Sequence, residues 1–175
     1  MRKYLKILIA IILLGGICIL SFGIMKSIQK KKEVFEKIKN LPIFSFQTLD
    51  NKIFSKKDVL EDKNILLIAF NPDCDFCQAE AEHIKNDLSI LKPFQILMVS
   101  PAKADSIKKF ALKYGLADQE NIQFLIDTHN ELLKNFGISS FPTSFVYSSE
   151  QVLLKNYKGV VKPQVLLKDL ANQQK

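Results

Sequence analysis

Cysteine is scarce in this chain, with only Cys18, Cys74 and Cys77 in 175 residues. That excludes a disulfide framework. Cys18 lies in a hydrophobic segment, and Cys74 and Cys77 are so close that a bridge between them would hardly restrain an unfolded chain. The use of that pair is therefore chemical rather than structural. Histidine is scarcer still, with only His83 and His129. Together with the Cys pair they could just supply the four ligands of a structural zinc. No internal repeat or low-complexity tract is present.

Acidic residues are absent before Glu33. The first 32 residues carry seven basic side chains (Arg2, Lys3, Lys6, Lys26, Lys30, Lys31 and Lys32), whereas residues 33–175 balance 18 Lys against 18 Asp and Glu. The formal net charge of +7 thus belongs wholly to the N-terminal segment. A basic protein raises nucleic acid as a partner; the neutral remainder of this one sets that partner aside.

Charge is missing altogether from Ile7 to Met25, 19 residues rich in Ile and Leu. About 20 apolar residues cross a bilayer core, and the basic flanks read as headgroup contacts. A cleaved signal has a shorter apolar core and a small-x-small site, which Phe22-Gly23-Ile24-Met25-Lys26 does not offer. Gly15-Gly16-Ile17-Cys18 approaches a lipoprotein signal, but Ile17 stands where that signal has a small residue. The expectation is a retained anchor over residues 1–26, a juxtamembrane linker or helix over 27–40, and a folded domain over 41–175. Both flanks are basic, so charge alone nearly ties on orientation. The short tail and long C-terminal part look like a signal anchor. That places the N-terminus inside a bacterial cytoplasmic membrane and the domain on its periplasmic or outer side.

Beyond Leu41 the pattern becomes that of an α/β domain. Residues 44–47 alternate, Leu49-Asp50-Asn51-Lys52 is a turn and Ile53-Phe54 resumes, which signals a hairpin. Ser55 caps a short helix over 56–60. Residues 65–70 form an unbroken apolar run, read as a central strand buried on both faces. It stops at Asn71-Pro72-Asp73. A long helix follows over about 74–91, with Cys77, Ala81, Ile84, Leu88 and Leu91 in one stripe. A second buried strand covers 94–99. A helix over 104–114 is closed by Gly115, and a short strand covers 122–126. Asp127 or Thr128 caps a helix reaching 136. After Phe141-Pro142 come strands 144–147 and 152–157 as a hairpin, then a helix over 163–171 opened by Pro163. Alternating strands and helices predict an α/β sheet, mixed because the closing hairpin is antiparallel.

The Cys pair sits where the central strand turns into a helix. The first turn of a helix has unpaired N–H groups and a partial positive charge, which favour a thiolate at Cys74. The thiolate is the nucleophile of disulfide exchange. Cys77 begins the buried stripe, so position alone predicts that Cys74 attacks and Cys77 resolves the mixed disulfide. The intervening Asp75-Phe76 tunes the potential. Asp75, and Asp73 on the other side, place negative charge near Cys74 and oppose its thiolate. That favours a reductant or a middling exchanger over a strong oxidant. Glu80 lies one turn after Cys77 on the same side of the helix. It is read either as a carboxyl that exchanges a proton with Cys77 or as a solvated helix residue.

A strand, a Cys-x-x-Cys at a helix start and a later Phe141-Pro142-Thr143 before a strand together resemble the thioredoxin superfamily. The resemblance implies a thioredoxin-like mixed sheet with helices on both faces, here preceded by one N-terminal transmembrane helix. It implies a cis Pro142 beside the disulfide, helping to keep metal off the sulfurs, and a Phe141 backbone that pairs with an extended substrate segment. The anchor, the hairpin before the first core strand and the inserted helix–strand pair look like the TlpA/ResA-type reductases. Those act in extracytoplasmic thiol reduction, including cytochrome c maturation, and some carry a Glu at the position of Glu80. The implied partners are an exported protein with a disulfide or dithiol and a membrane electron donor, with no cofactor beyond the Cys74–Cys77 disulfide and no metal. Asp73 departs from the usual aromatic residue, Asp75-Phe76 departs from the usual dipeptide, and Ile68 stands near where thioredoxin itself carries a buried acid.

Rival readings fit less well. A peroxiredoxin-type peroxidase would place Pro and Thr where Leu67 and Asn71 stand. A copper-delivery protein of the same fold uses Cys-x-x-x-Cys, one residue longer. A non-catalytic, anchored binding module shares every feature except working thiols.

Overall fold

The computed structural model describes the backbone of residues 2–171, and the side chains of residue 4 and of residues 20–168 apart from 30. The chain divides into two compact units, Met1–Glu36 and Lys37–Lys175. Helix α1 covers Arg2–Ile38 without a break. Neither Gly nor Pro occurs between Gly23 and Leu41, so nothing interrupts it where the anchor was expected to give way to the linker. Most of the expected span, residues 7–19, lies outside the described side chains. Among the described residues no helix is long and apolar enough to cross a membrane.

The second unit is built on seven strands: β1 (Ser45–Thr48), β2 (Ile53–Ser55), β3 (Asn64–Ala69), β4 (Phe94–Ser100), β5 (Ile122–Ile126), β6 (Thr143–Tyr147) and β7 (Leu153–Lys158). They form one sheet in the order β2-β1-β5-β4-β3-β6-β7. The neighbours β3–β4 and β4–β5 are parallel, and the remaining pairs are antiparallel. The helices are α2 (Asp75–Asn86), α3 (Ala104–Lys113), α4 (Glu131–Lys134) and α5 (Pro163–Ala171). A 3-10 turn over Lys56–Asp58, with Ser55 as its N-cap, stands where the short helix over 56–60 was expected; with it the predicted element order is found.

The apolar run in β3 is central and buried, as a strand with no polar face must be. On one face, Leu66, Ile68 and Phe70 of the β3 segment join Met98 and Val146. There they pack with Cys77, Ala81 and Ile84 of α2, Ile107 and Phe110 of α3 and Leu166 of α5. The opposite face is an aromatic layer. Phe44 stacks on Phe46 at 4.8 Å between centroids, and Phe136, just past α4, meets Phe145 edge-on at 5.9 Å.

Two further helices are shorter than expected. α2 ends at Asn86, and a separate 3-10 turn covers Leu88–Leu91. Asp87 leaves the helical region (φ −123, ψ 28), and its carboxylate accepts from Gln164 Nε2 at 2.8 Å. Asn and Asp are weak helix formers, so the break falls there. α4 begins only at Glu131 because Asn130 is left-handed (φ 56, ψ 37), and it ends at Lys134 with Asn135 as its C-cap. Asp127 still caps it, from a distance: its carboxylate accepts the N–H groups of Glu131 and Leu132 at 2.8 and 2.9 Å.

Candidate active site

The antiparallel register of β3 and β6 puts Ala69 opposite Thr143. The chain leaving β3 and the chain entering β6 therefore meet at one end of the sheet. Cys74 follows β3 by five residues, and Phe141-Pro142 immediately precedes β6. The Phe141–Pro142 peptide is cis. The Cys74 Sγ–H donates to the Phe141 carbonyl at 3.8 Å.

Cys74 is the N-cap of α2, with extended backbone (φ −94, ψ 121). Its N–H donates to the Asn71 carbonyl at 3.1 Å, and its carbonyl accepts the Gln78 N–H at 3.0 Å. Cys74 is thus half-exposed at the helix end whose first-turn amides are unpaired, and its side chain makes no capping hydrogen bond to them. Cys77 is only 2% exposed. Its Sγ accepts the Asn71 N–H at 3.4 Å. Burial pushes the Cys77 thiol up to about 12; the Asn71 N–H opposes this, and Cys74 and Glu80 add to it. The two sulfurs are as unlike as position alone predicts: one is accessible, and the other is a buried thiol protonated at neutral pH.

Glu80 is buried, at 2% exposure, so the solvated reading is overturned. Its Oε1 accepts the Ser144 hydroxyl at 3.2 Å. Burial pushes its carboxyl up to about 7, against the stabilising effect of Ser144 and of the Val161 N–H on the charged form. A carboxyl so poised takes up and releases a proton near neutral pH. Ser144 is the register partner of Ile68. The acid missing from the central strand therefore reaches the same neighbourhood from the helix.

Asp73, Asp75 and Phe76 flank Cys74 in the chain and are all exposed, Phe76 at 68%. The Asp73 N–H donates to Asn71 Oδ1 at 3.0 Å. Among the described residues neither carboxylate forms an ion pair. His83 is half-buried and His129 exposed; among the described residues no three His, Cys, Asp or Glu side chains gather as a metal site.

Three residues at the site carry no signal in the sequence: Asn71, Gln78 and Ser144. Gln78 Nε2 donates to the Pro72 carbonyl at 3.1 Å, and its Oε1 accepts from Tyr114 Oη at 3.2 Å and Lys113 Nζ at 3.4 Å. Ser144 and Gln78 reach partners far along the chain, so no local pattern marks them; Asn71 bonds within its own turn, to Asp73, Cys74 and Cys77.

The comparisons with known proteins agree with this geometry. The model of the AhpC/TSA family matches residues 38–156. A thiol-disulfide oxidoreductase, ResA, of Bacillus subtilis (strain 168) is 24% identical over 153 residues, covering 86% of this chain and 83% of that protein. A ResA of Bacillus thuringiensis subsp. konkukian is 25% identical, with 90% and 88% covered. A secreted disulfide oxidoreductase of Mycobacterium tuberculosis shares the fold: its crystal structure superposes with a TM-score of 0.61 at 20% identity, covering 78% of this chain and 98% of that one. With two unlike thiols at the head of α2 on such a sheet, the chain belongs to the AhpC/TSA family and is a thioredoxin-like oxidoreductase.

Proposed function

We propose that the protein reduces disulfides in exported proteins through Cys74 and Cys77, in the manner of cytochrome c maturation reductases. The carrying observation is the asymmetry of the pair: Cys74 half-exposed at a helix N-cap, Cys77 buried beside a buried carboxyl. The Cys74 thiolate attacks the substrate disulfide, forming a mixed disulfide and expelling one substrate thiolate. Cys77 gives its proton to Glu80 and attacks Cys74 Sγ. The Cys74–Cys77 bond forms, the Cys74–substrate bond breaks, and the second substrate thiolate leaves and is protonated. Two electrons pass to the substrate. A dithiol donor in the membrane returns them. The Phe141 backbone lines an extended substrate segment beside Cys74, and Asp73, Asp75 and Phe76 tune the potential. No cofactor beyond the sulfur pair enters the cycle.

The N-terminal helix is the anchor in this reading. Leu20, Phe22, Ile24 and Met25 are large apolar side chains exposed on α1, immediately before the basic cluster that begins at Lys26. Such a surface favours lipid over water. The domain then faces the periplasm or cell exterior.

The reduction potential of the domain tests the direction of transfer. A value near or below ~ −270 mV supports a reductant, and one near ~ −120 mV supports an oxidase. Insulin reduction equal in wild type and Cys74→Ser removes the enzymatic reading. Labelling of an engineered cysteine near the C-terminus by a membrane-impermeant reagent on intact cells tests the location; protection from the reagent sinks it.

A further inference from the structure

Glu80 is held by one side chain from outside its helix, and that contact leaves its two oxygens inequivalent. Oε1 accepts the Ser144 hydroxyl at 3.2 Å. Oε2 is buried without a hydrogen-bond partner among the described residues. A buried carboxylate oxygen left unpaired is costly unless it takes a proton. Ser144 has no exposed surface and lies on β6 directly opposite Ile68. Its strand neighbour on the same face, Val146, packs with Cys77, Ala81 and Ile84 of α2. The hydroxyl therefore projects from the sheet into the helix-covered core, where it would itself be unpaired without Glu80.

We propose that Ser144 is a positioning residue for the resolving step: by fixing Oε1 it leaves Oε2 as the atom that takes the Cys77 proton. This rests on the reading of the Cys pair given above and names a residue that acts through Glu80 rather than on sulfur. The groups facing Glu80 are few. Its own helix offers Cys77, with Cys74 one turn earlier. β3 offers apolar Ile68, β6 offers Ser144, and the segment before α5 offers the Val161 N–H. Among the described residues no Lys, Arg, Asp or Glu side chain pairs with it. Ser144 is thus the one side chain whose hydroxyl favours the charged, proton-accepting form. Without that hydrogen bond, Glu80 ionises only at higher pH.

The reduced full-length protein in a Cys18→Ser background, which leaves Cys74 and Cys77 as the only thiols and serves as wild type here, mixed with the disulfide reagent dithio-bis-nitrobenzoate, reports both steps. Attack by Cys74 releases one thionitrobenzoate and leaves the other on Cys74; attack by Cys77 then releases the second. In wild type the second phase accelerates as pH rises through the range in which Glu80 ionises. In Ser144→Ala the first phase is unchanged. The second is roughly tenfold slower at neutral pH, as loss of one hydrogen bond to a charged group implies, and its rise moves to higher pH. Ser144→Thr, which keeps the hydroxyl, restores the wild-type profile. In a Glu80→Gln background, Ser144→Ala has no further effect on the second phase.

A wild-type protein that releases fewer than two equivalents overturns the oxidoreductase reading itself. A two-phase wild type with a superimposable Ser144→Ala profile overturns the positioning role alone. So does a Ser144→Ala effect that persists unchanged in the Glu80→Gln background.

Discussion

The backbone N–H of Asn71 donates to the sulfur of Cys77 across 3.4 Å, tying the start of the strand–helix turn to the buried thiol of the pair. The contact supports the sulfur without making it reactive. Burial prevails, and the thiol ionises only near 12.

Alkylation should therefore discriminate sharply between the two thiols. In a Cys74→Ser variant at about pH 8, Cys77 should react with iodoacetamide on the order of 10³-fold more slowly than an unperturbed thiol, because only the thiolate reacts. In a Cys77→Ser variant, Cys74 should label readily. Peptide mapping by mass spectrometry measures both rates. Comparable labelling of the two would mean that Cys77 is not buried as described.

Glu80 should make stability depend on pH. Its folded carboxyl titrates near 7 rather than 4.5. The folded state therefore holds this proton more tightly than the unfolded state. The resulting stabilisation is complete below pH 4.5 and is lost as pH rises through about 7. The loss is up to about 3 kcal/mol. Glu80→Gln removes that dependence, so the variant should be more resistant to urea than wild type at about pH 8 and should show little advantage at about pH 4.5. If the wild-type minus variant difference is flat across this range, Glu80 is not ionising in a buried site.

Much of this site is legible in the order of the amino acids, and the remainder is not, for a definable reason. Cys74 and Cys77 are legible because their asymmetry is local: a strand end, a helix start and a stripe one turn long. The burial of Glu80 is ambiguous because it flanks that stripe, where a small helix rotation decides between water and core. Ser144 and Gln78 are invisible. Ser144 matters through Glu80, 64 positions away, and Gln78 through Lys113 and Tyr114, 35 and 36 positions away, and a register such as Ala69 opposite Thr143 is not encoded in either strand alone. The two helices expected to be longer share a different cause. Apolar spacing continues past Asp87, and the capping candidates Asp127 and Thr128 stand before Asn130, but at both places an Asx residue takes a non-helical backbone and its neighbourhood satisfies the freed groups.

Tyr147 offers a test of the opposite sign. It is wholly buried, and its hydroxyl has no hydrogen-bond partner among the described residues. Its ring stacks on Phe145 at 6.3 Å between centroids. Tyr147→Phe keeps the ring and deletes the unpaired oxygen, so it should raise stability by roughly 1 kcal/mol. Denaturant unfolding measures this. A loss of similar size would mean that the hydroxyl is satisfied after all.

The last relationship with a measurable consequence joins α2, α3 and the turn that carries the nucleophile. Gln78 receives hydrogen bonds from Tyr114 and Lys113 on one side and gives one to the Pro72 carbonyl on the other. Pro72 lies two residues before Cys74, so this chain of bonds sets the path by which the backbone enters the helix. Gln78→Ala should leave the fold intact at a cost of about 1 kcal/mol and slow the first attack by Cys74, with the alkylation resistance of Cys77 unaltered. Tyr114→Phe should have a smaller effect of the same kind, since Lys113 still reaches the Gln78 oxygen. Because Tyr114 acts through Gln78, the second substitution should add nothing to the rate once the first is made. Single-turnover rates for the two single variants and the double variant decide the matter: independent, additive losses would show that Tyr114 supports the turn by some other route than the amide of Gln78.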